Sequence, residues 1–209
     1  MPAGGRTVEV ISADGTRIHT EVYGREGAPA IVLAHGYTQT VRTWNWQAAD
    51  LMDRYRVIVY DQRGHGRSGR PRGRAYTIDA LGQDLQAVLS TCLGPDERAV
   101  VGGHSMGGIT IMSWARRHPE EVMRRAAAVV LVNTAPSEIS RHVALAEWIP
   151  FRLHGAAPAL VRQTLLRIVM SRARGPIRWL AFGNAAAPEQ LDAVIDMIGQ
   201  MPATTIRAW

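Results

Sequence analysis

A serine flanked by glycines, Gly103-His104-Ser105-Met106-Gly107, stands where an apolar run, Ala99 to Gly102, gives way to a helical stretch that starts at Met106. A strand-to-helix turn this tight exposes a hydroxyl only if its flanking positions lack side chains. Glycines at 103 and 107 are therefore what an exposed, backbone-strained serine nucleophile needs. Gly-x-Ser-x-Gly by itself also describes a flexible loop. The strand before it and the helix after it make Ser105 the candidate for attack on an acyl carbon. His104, on the same turn, is read as a packed structural histidine rather than as the general base.

Attack on an acyl carbon puts negative charge on oxygen, and two preorganised N–H donors must meet it. His35-Gly36-Tyr37 directly follows another apolar run, Ala30 to Ala34, and Gly36 permits close backbone approach there. The predicted donors are the backbone N–H groups of Tyr37, from this loop, and of Met106, the residue after the nucleophile. A third cluster, Tyr60-Asp61-Gln62-Arg63-Gly64-His65-Gly66-Arg67-Ser68, follows the run Val57 to Tyr60. Asp61 and His65 resemble an acid–base pair, but they lie four residues apart and one strand away from the nucleophile. Asp61 and Arg63 are read as holding a compact loop.

The elements that must carry these residues follow from apolar periodicity. Residues 7 to 12 and 16 to 23 alternate apolar and polar side chains around Asp14-Gly15, which predicts an edge hairpin. Ala30 to Ala34, Val57 to Tyr60, Ala99 to Gly102 and Ala127 to Val132 are continuously apolar, as strands covered on both faces require. Helical stretches lie between them: Trp44 to Arg54, Ile78 to Leu93 after the cap Thr77, and Met106 to His118 before Pro119. Alternation of this kind predicts an α/β fold, a doubly wound and mostly parallel sheet with an N-terminal antiparallel hairpin and its chemistry at the carboxyl ends of the strands. After Pro136 the alternation stops. Residues 1–136 are expected to form the core that carries the nucleophile, and residues 137–209 a helical cap or lid, with amphipathic helices over Pro158 to Arg172 and Pro188 to Met201.

HGYTQT, DQRGHGRS and GHSMGG, in this order and spacing, resemble the α/β-hydrolase superfamily, especially bacterial esterases, lipases and perhydrolases. The resemblance covers residues 7 to 136. It implies an acyl-enzyme mechanism in which a histidine activates Ser105, an acid orients the histidine and backbone donors hold the oxyanion. Epoxide hydrolases and haloalkane dehalogenases of the superfamily carry Asp at the nucleophile position, so Ser105 argues against both. The family's order is serine, acid, histidine, with the last two after strands beyond the cap. No apolar β-branched run after Pro136 supplies such strands. The sequence therefore predicts a C-terminally incomplete fold whose acid and histidine lie beyond residue 209. His142, His154, Glu138, Asp192 and Asp196 are substitutes on paper, and none follows a strand.

Composition narrows the remaining classes. Apolar residues make up 46% and charged residues 20% of the 209-residue chain, the usage of an ordinary globular domain. The net charge of +6 comes from 24 basic residues that are all Arg. They are scattered rather than interleaved with aromatics along one element, which argues against a nucleic-acid partner. Phe151 to Leu180 is basic and apolar without Asp or Glu. It reads as a pocket cover in preference to a membrane-surface lid, and as a cover it favours an acyl or aromatic substrate. Cys92 is the only cysteine, and no leader-like or membrane-spanning run is present, so a cytoplasmic location is the default. No cofactor or metal motif is found.

The leading expectation is a carboxylic-ester hydrolase acting on a small-molecule ester. Perhydrolysis, amide cleavage or C–C bond cleavage by the same serine is the alternative, and a truncated, non-catalytic remnant or binding module is the third reading.

Overall fold

A computed structural model of the chain describes residues 1–71, 75–135, 187–201 and 205. The chain divides into two units, Met1–Pro136 with Met201–Trp209, and Ser137–Gln200.

The fold opens on β1 (Arg6–Ile11) and β2 (Arg17–Tyr23), paired antiparallel with Glu9 opposite His19. Their turn needs the left-handed backbone of Gly15, at φ +80°, and is closed by the Thr16 N–H donating to the Asp14 carboxylate at 3.0 Å. β3 (Ala30–Ala34), β4 (Arg56–Tyr60), β5 (Ala99–His104) and β6 (Ala126–Val132) complete one six-stranded sheet of order β1-β2-β4-β3-β5-β6. β2 runs antiparallel to β4, and the remaining pairs are parallel.

Strand alternation divides the core between the two faces. Val32, Ala34, Ile58, Tyr60 and Val101 pack with Leu85, Leu89, Ile111 and Trp114, which come from α2 (Ile78–Cys92) and α3 (Met106–Arg117). Leu33, Val57 and Val59 pack with Val41, Trp44 and Ala48 on the other face. The stretch predicted as one helix over Trp44 to Arg54 is a 3₁₀ turn, Val41–Trp44, followed by the short helix α1 (Asn45–Leu51). Thr40 starts the turn by accepting from the Arg42 N–H at 3.3 Å. Thr77 caps α2 as expected, accepting from the Ala80 N–H at 3.1 Å. α3 ends before Pro119 as expected, and Pro119 begins a further helix, α4 (Pro119–Arg125), at the position where its missing N–H costs no bond. The predicted helix over Pro188 to Met201 is observed as α5 (Pro188–Gln200), whereas Pro158 to Arg172 lies outside the described residues.

Cys92 is partly buried, and burial raises its thiol above the ordinary value. One expectation changes. Strand β6, expected to be covered on both faces, leaves Val129, Val130, Leu131 and Val132 between 40% and 47% exposed. Successive residues point to opposite faces, so among the described residues β6 is an edge strand whose two faces are both apolar and partly wet. Such an edge is a template for pairing with another chain. The 209-residue chain is accordingly expected to self-associate, and Leu131→Lys to shift its light-scattering mass toward the monomer. An unaltered chain that stays monomeric at high concentration would contradict this.

Candidate active site

The sheet brings the carboxyl ends of β3, β4 and β5 together, and each of the three sequence clusters leaves from one of them. β5 stands beside β3, with Ala34 opposite Gly103, and beside β6, with His104 opposite Val132. The chain then turns into α3 through one residue, Ser105, at φ +52° and ψ −115°. A side-chain-bearing residue there costs roughly 1–3 kcal/mol in backbone strain.

The glycines show why the turn can be so short. A Cβ on Gly103 would lie 2.4 Å from the carbonyl of Gly107, and one on Gly107 would lie 2.1 Å from Ala34 O. Both obstacles are backbone, which cannot step aside. The first turn of α3 thus rests on the end of β3, where the His35-Gly36-Tyr37 loop begins.

Ser105 is the N-cap residue of α3, yet its hydroxyl makes no capping bond. A serine at that position ordinarily accepts from an amide of the first turn. Here the Gly108 N–H, at 2.9 Å, and the Ile109 N–H, at 3.3 Å, go to the Ser105 carbonyl instead. The Thr134 hydroxyl donates to the same oxygen at 2.8 Å, and the Ser105 N–H donates to Val132 O at 3.0 Å. Every backbone group of the elbow residue is fixed while its Oγ is left for other chemistry. As the first residue of α3, Met106 has no intrahelical acceptor for its N–H.

The loop of the second predicted donor is held from three sides. His35, fully buried, has Nδ1 2.7 Å from Gly36 O, and its Nε2 accepts from the Gln62 N–H at 3.0 Å. These partners assign the proton to Nδ1. Gln39 Oε1 accepts from the Gly36 N–H at 2.8 Å and faces His104 Nδ1 at 3.2 Å, which ties this loop to the residue before the nucleophile. His104 is half-buried, and desolvation lowers its pKa. The carboxylate of Asp61, 1% exposed, accepts from the Val41 N–H at 2.8 Å and the Arg67 N–H at 2.9 Å. It joins the end of the Tyr37 loop to the Gly64–Ser68 turn, where Gly66, at φ +48°, passes so close that a Cβ would lie 2.2 Å from Asp61 Oδ2.

Asp61 and His65 do not form an acid–base pair with Ser105. His65 Nδ1 bonds Arg63 O at 3.0 Å, and its ring packs edge-on against those of His35 and Tyr37, with centroids 5.4 and 5.8 Å away. Burial pushes its pKa down to about 3, and that of His35 to about 4. Both rings are neutral at pH 7. Among the described residues no histidine or carboxylate is hydrogen-bonded to Ser105 Oγ. Asp192 and Asp196 lie on α5 in the second unit, and Glu138, His142 and His154 lie outside the described residues.

The two buried histidines make stability depend on pH. An unfolded histidine takes up a proton near pH 6.5. The folded chain refuses it until about pH 4 at His35 and about pH 3 at His65. Stability is therefore full above about pH 6.5 and falls as pH drops, approaching about 1.4 kcal/mol per pH unit for each histidine. Urea titrations at pH 7, 6 and 5 should show this slope, and His65→Phe should roughly halve it, leaving the contribution of His35. Stability that does not change over that range would refute the assignment.

Thr134, Gln39 and Gln62 are site residues that composition and spacing did not single out. Each acts through a partner distant in sequence, so only the strand order brings them in.

The family model described as the alpha/beta hydrolase fold matches residues 29–166. Epoxide hydrolase A of Mycobacterium tuberculosis is 36% identical over 129 residues, covering 61% of this chain and 39% of that protein. 3-oxoadipate enol-lactonase 2 of Acinetobacter baylyi is 35% identical over 127 residues, covering 61% and 45%. The crystal structure of the esterase RhEst1 from Rhodococcus superposes with a TM-score of 0.72 at 26% identity, covering 97% of this chain and 71% of that one. The chain spans about two fifths of the length of the curated relatives it matches.

Proposed function

The chain belongs to the alpha/beta hydrolase fold family, and from that premise we propose that the protein is a serine hydrolase that cleaves carboxylic esters, open-chain or cyclic, through an acyl-enzyme on Ser105. The observation that carries this reading is the Ser105 hydroxyl. It sits at an N-cap without capping, on a backbone at φ +52°, at the carboxyl end of the central strands. Its attack on the ester carbonyl forms the Oγ–C bond and puts charge on the carbonyl oxygen, to be met by the Met106 and Tyr37 N–H groups. Collapse of that intermediate expels the alcohol and leaves the acyl group on Oγ, and water then releases the acid. The Oγ proton passes to a general base, for which the family resemblance implies a histidine, and from it to the departing alcohol.

The similarity to Epoxide hydrolase A does not extend to this chemistry. A serine that opened an epoxide would be left as an alkyl ether, which water does not cleave at neutral pH. A carboxylate nucleophile gives a hydrolysable ester instead. The enol-lactonase and esterase relatives fit a serine at position 105 better, because acyl–serine esters turn over.

An acid quench of the full-length protein during turnover of a p-nitrophenyl ester, followed by peptide mass spectrometry, tests the proposal. The expected result is an added acyl mass on the peptide that contains Ser105. Turnover with the acyl group on another residue, or on none, would overturn it.

A further inference from the structure

We infer that Gln62 is a positioning residue that sets the distance between the two halves of the oxyanion site, because its buried side-chain amide bridges His35, at the start of one donor loop, to Thr110 on the helix whose first residue carries the other donor. The inference rests on the reading of Ser105 as an acyl-transfer nucleophile.

Gln62 leaves β4, and the strand order puts β3 between β4 and β5. To reach α3, which follows β5, its side chain must cross the carboxyl end of β3. It does so through two bonds: Nε2 donates to His35 O, and Oε1 accepts from the Thr110 hydroxyl at 2.7 Å. The Gln62 backbone N–H adds a third tie, to His35 Nε2 at 3.0 Å. His35 precedes Gly36-Tyr37, and its ring holds Gly36 O. Thr110 lies one helical turn after Met106, and its hydroxyl also stands 3.0 Å from Met106 O.

Gln62, His35 and Thr110 are each fully buried. A carboxamide in such a place is strongly disfavoured unless both of its ends are bonded, so a leucine would otherwise be the better filling. With both ends bonded it acts as a strut of fixed length, in a region where packing alone tolerates small shifts. An oxyanion site requires its donors to converge to within a few tenths of an ångström, and a strut supplies that.

Gln62→Met keeps length and removes both bonds. Thr110→Val keeps shape and removes one, and Thr110→Ser keeps the hydroxyl. In the full-length protein, complete loss of one oxyanion donor lowers kcat by about 10²–10³-fold, so a displaced donor should cost about tenfold. The expected result for both Gln62→Met and Thr110→Val is therefore kcat down by about that factor, with KM changed less than about twofold. An alkylboronic acid, which forms a tetrahedral adduct on the serine, should bind more weakly by the same factor. Thr110→Ser should restore both values. If Gln62→Met fails to fold, Thr110→Val carries the same measurements. Variants with a lowered melting temperature but unchanged kcat and boronate affinity would overturn the strut alone. Failure of the unaltered protein to bind the boronate would overturn the reading of Ser105 and the strut with it.

Discussion

Ser105→Ala in the full-length protein is expected to abolish labelling by a fluorophosphonate probe and to lower kcat on esters by roughly 10⁶-fold, the scale on which nucleophile deletions act in triad enzymes. The residual rate, about 10³–10⁴ over water, would come from the oxyanion donors and substrate binding, which the substitution leaves in place. Labelling that survives would place the nucleophile elsewhere. A second variant separates chemistry from backbone. The φ of +52° at Ser105 is strained for any residue with a Cβ, so Ser105→Ala keeps the strain and Ser105→Gly releases it. Both variants should lose labelling, and only Ser105→Gly should melt above the wild type. A glycine variant no more stable than the alanine variant would show that the elbow holds no strain.

The elbow could be anticipated from sequence because its cause is local. Gly103 and Gly107 flank a serine between a strand pattern and a helix pattern, and the collision they avoid is between neighbouring segments. β3 coincides with the run Ala30 to Ala34 for the same reason, since an apolar β-branched run is a property of the strand itself. The exposure of Val129 to Val132 could not be read in this way. An apolar run looks the same whether or not anything covers it. The polar ties behind the site were equally hidden: Thr110 reaches Gln62 across 48 positions, His104 reaches Gln39 across 65, and Thr134 reaches Ser105 across 29. Glutamine and threonine carry no periodicity signal, and their roles appear only once the order β4-β3-β5 fixes who stands beside whom. That Asp61 and Arg63 hold the loop follows from their place in a Gly-rich turn after a buried strand, but their partners do not: Asp61 reaches Val41 across 20 positions, and Arg63 reaches Asp84 across 21 and Asp14 across 49.

A large stability effect is expected at Arg63. Its guanidinium is 1% exposed and forms a two-bond pair with Asp84 on α2, Nε to Oδ2 at 2.7 Å and Nη2 to Oδ1 at 2.6 Å. Nη1 adds Asp14 at 2.8 Å and Ala75 O at 2.9 Å, so one side chain joins the β1–β2 turn, the loop after β4 and the helix α2. Burial pushes the Asp84 carboxyl above its ordinary value, and the Arg63 bonds and charge pull against that. Arg63→Met removes the pull and leaves a fully buried carboxylate without its cation, with the Ser12 hydroxyl still bonded to it, which should destabilise the fold by about 3–5 kcal/mol at pH 7 in urea titration. The sign with pH follows from the raised carboxyl. Protonation removes the uncompensated charge, so the deficit relative to wild type should be greatest at neutral pH and shrink as pH falls through the raised Asp84 value. Arg63→Met combined with Asp84→Leu removes both charges and should recover most of the loss, because an apolar replacement of a buried pair is often neutral. If the double variant is as unstable as Arg63→Met alone, the cost lies in the bonds to Asp14 and Ala75 rather than in a stranded charge. A single variant within about 1 kcal/mol of wild type would show that the network contributes no more than an exposed ion pair.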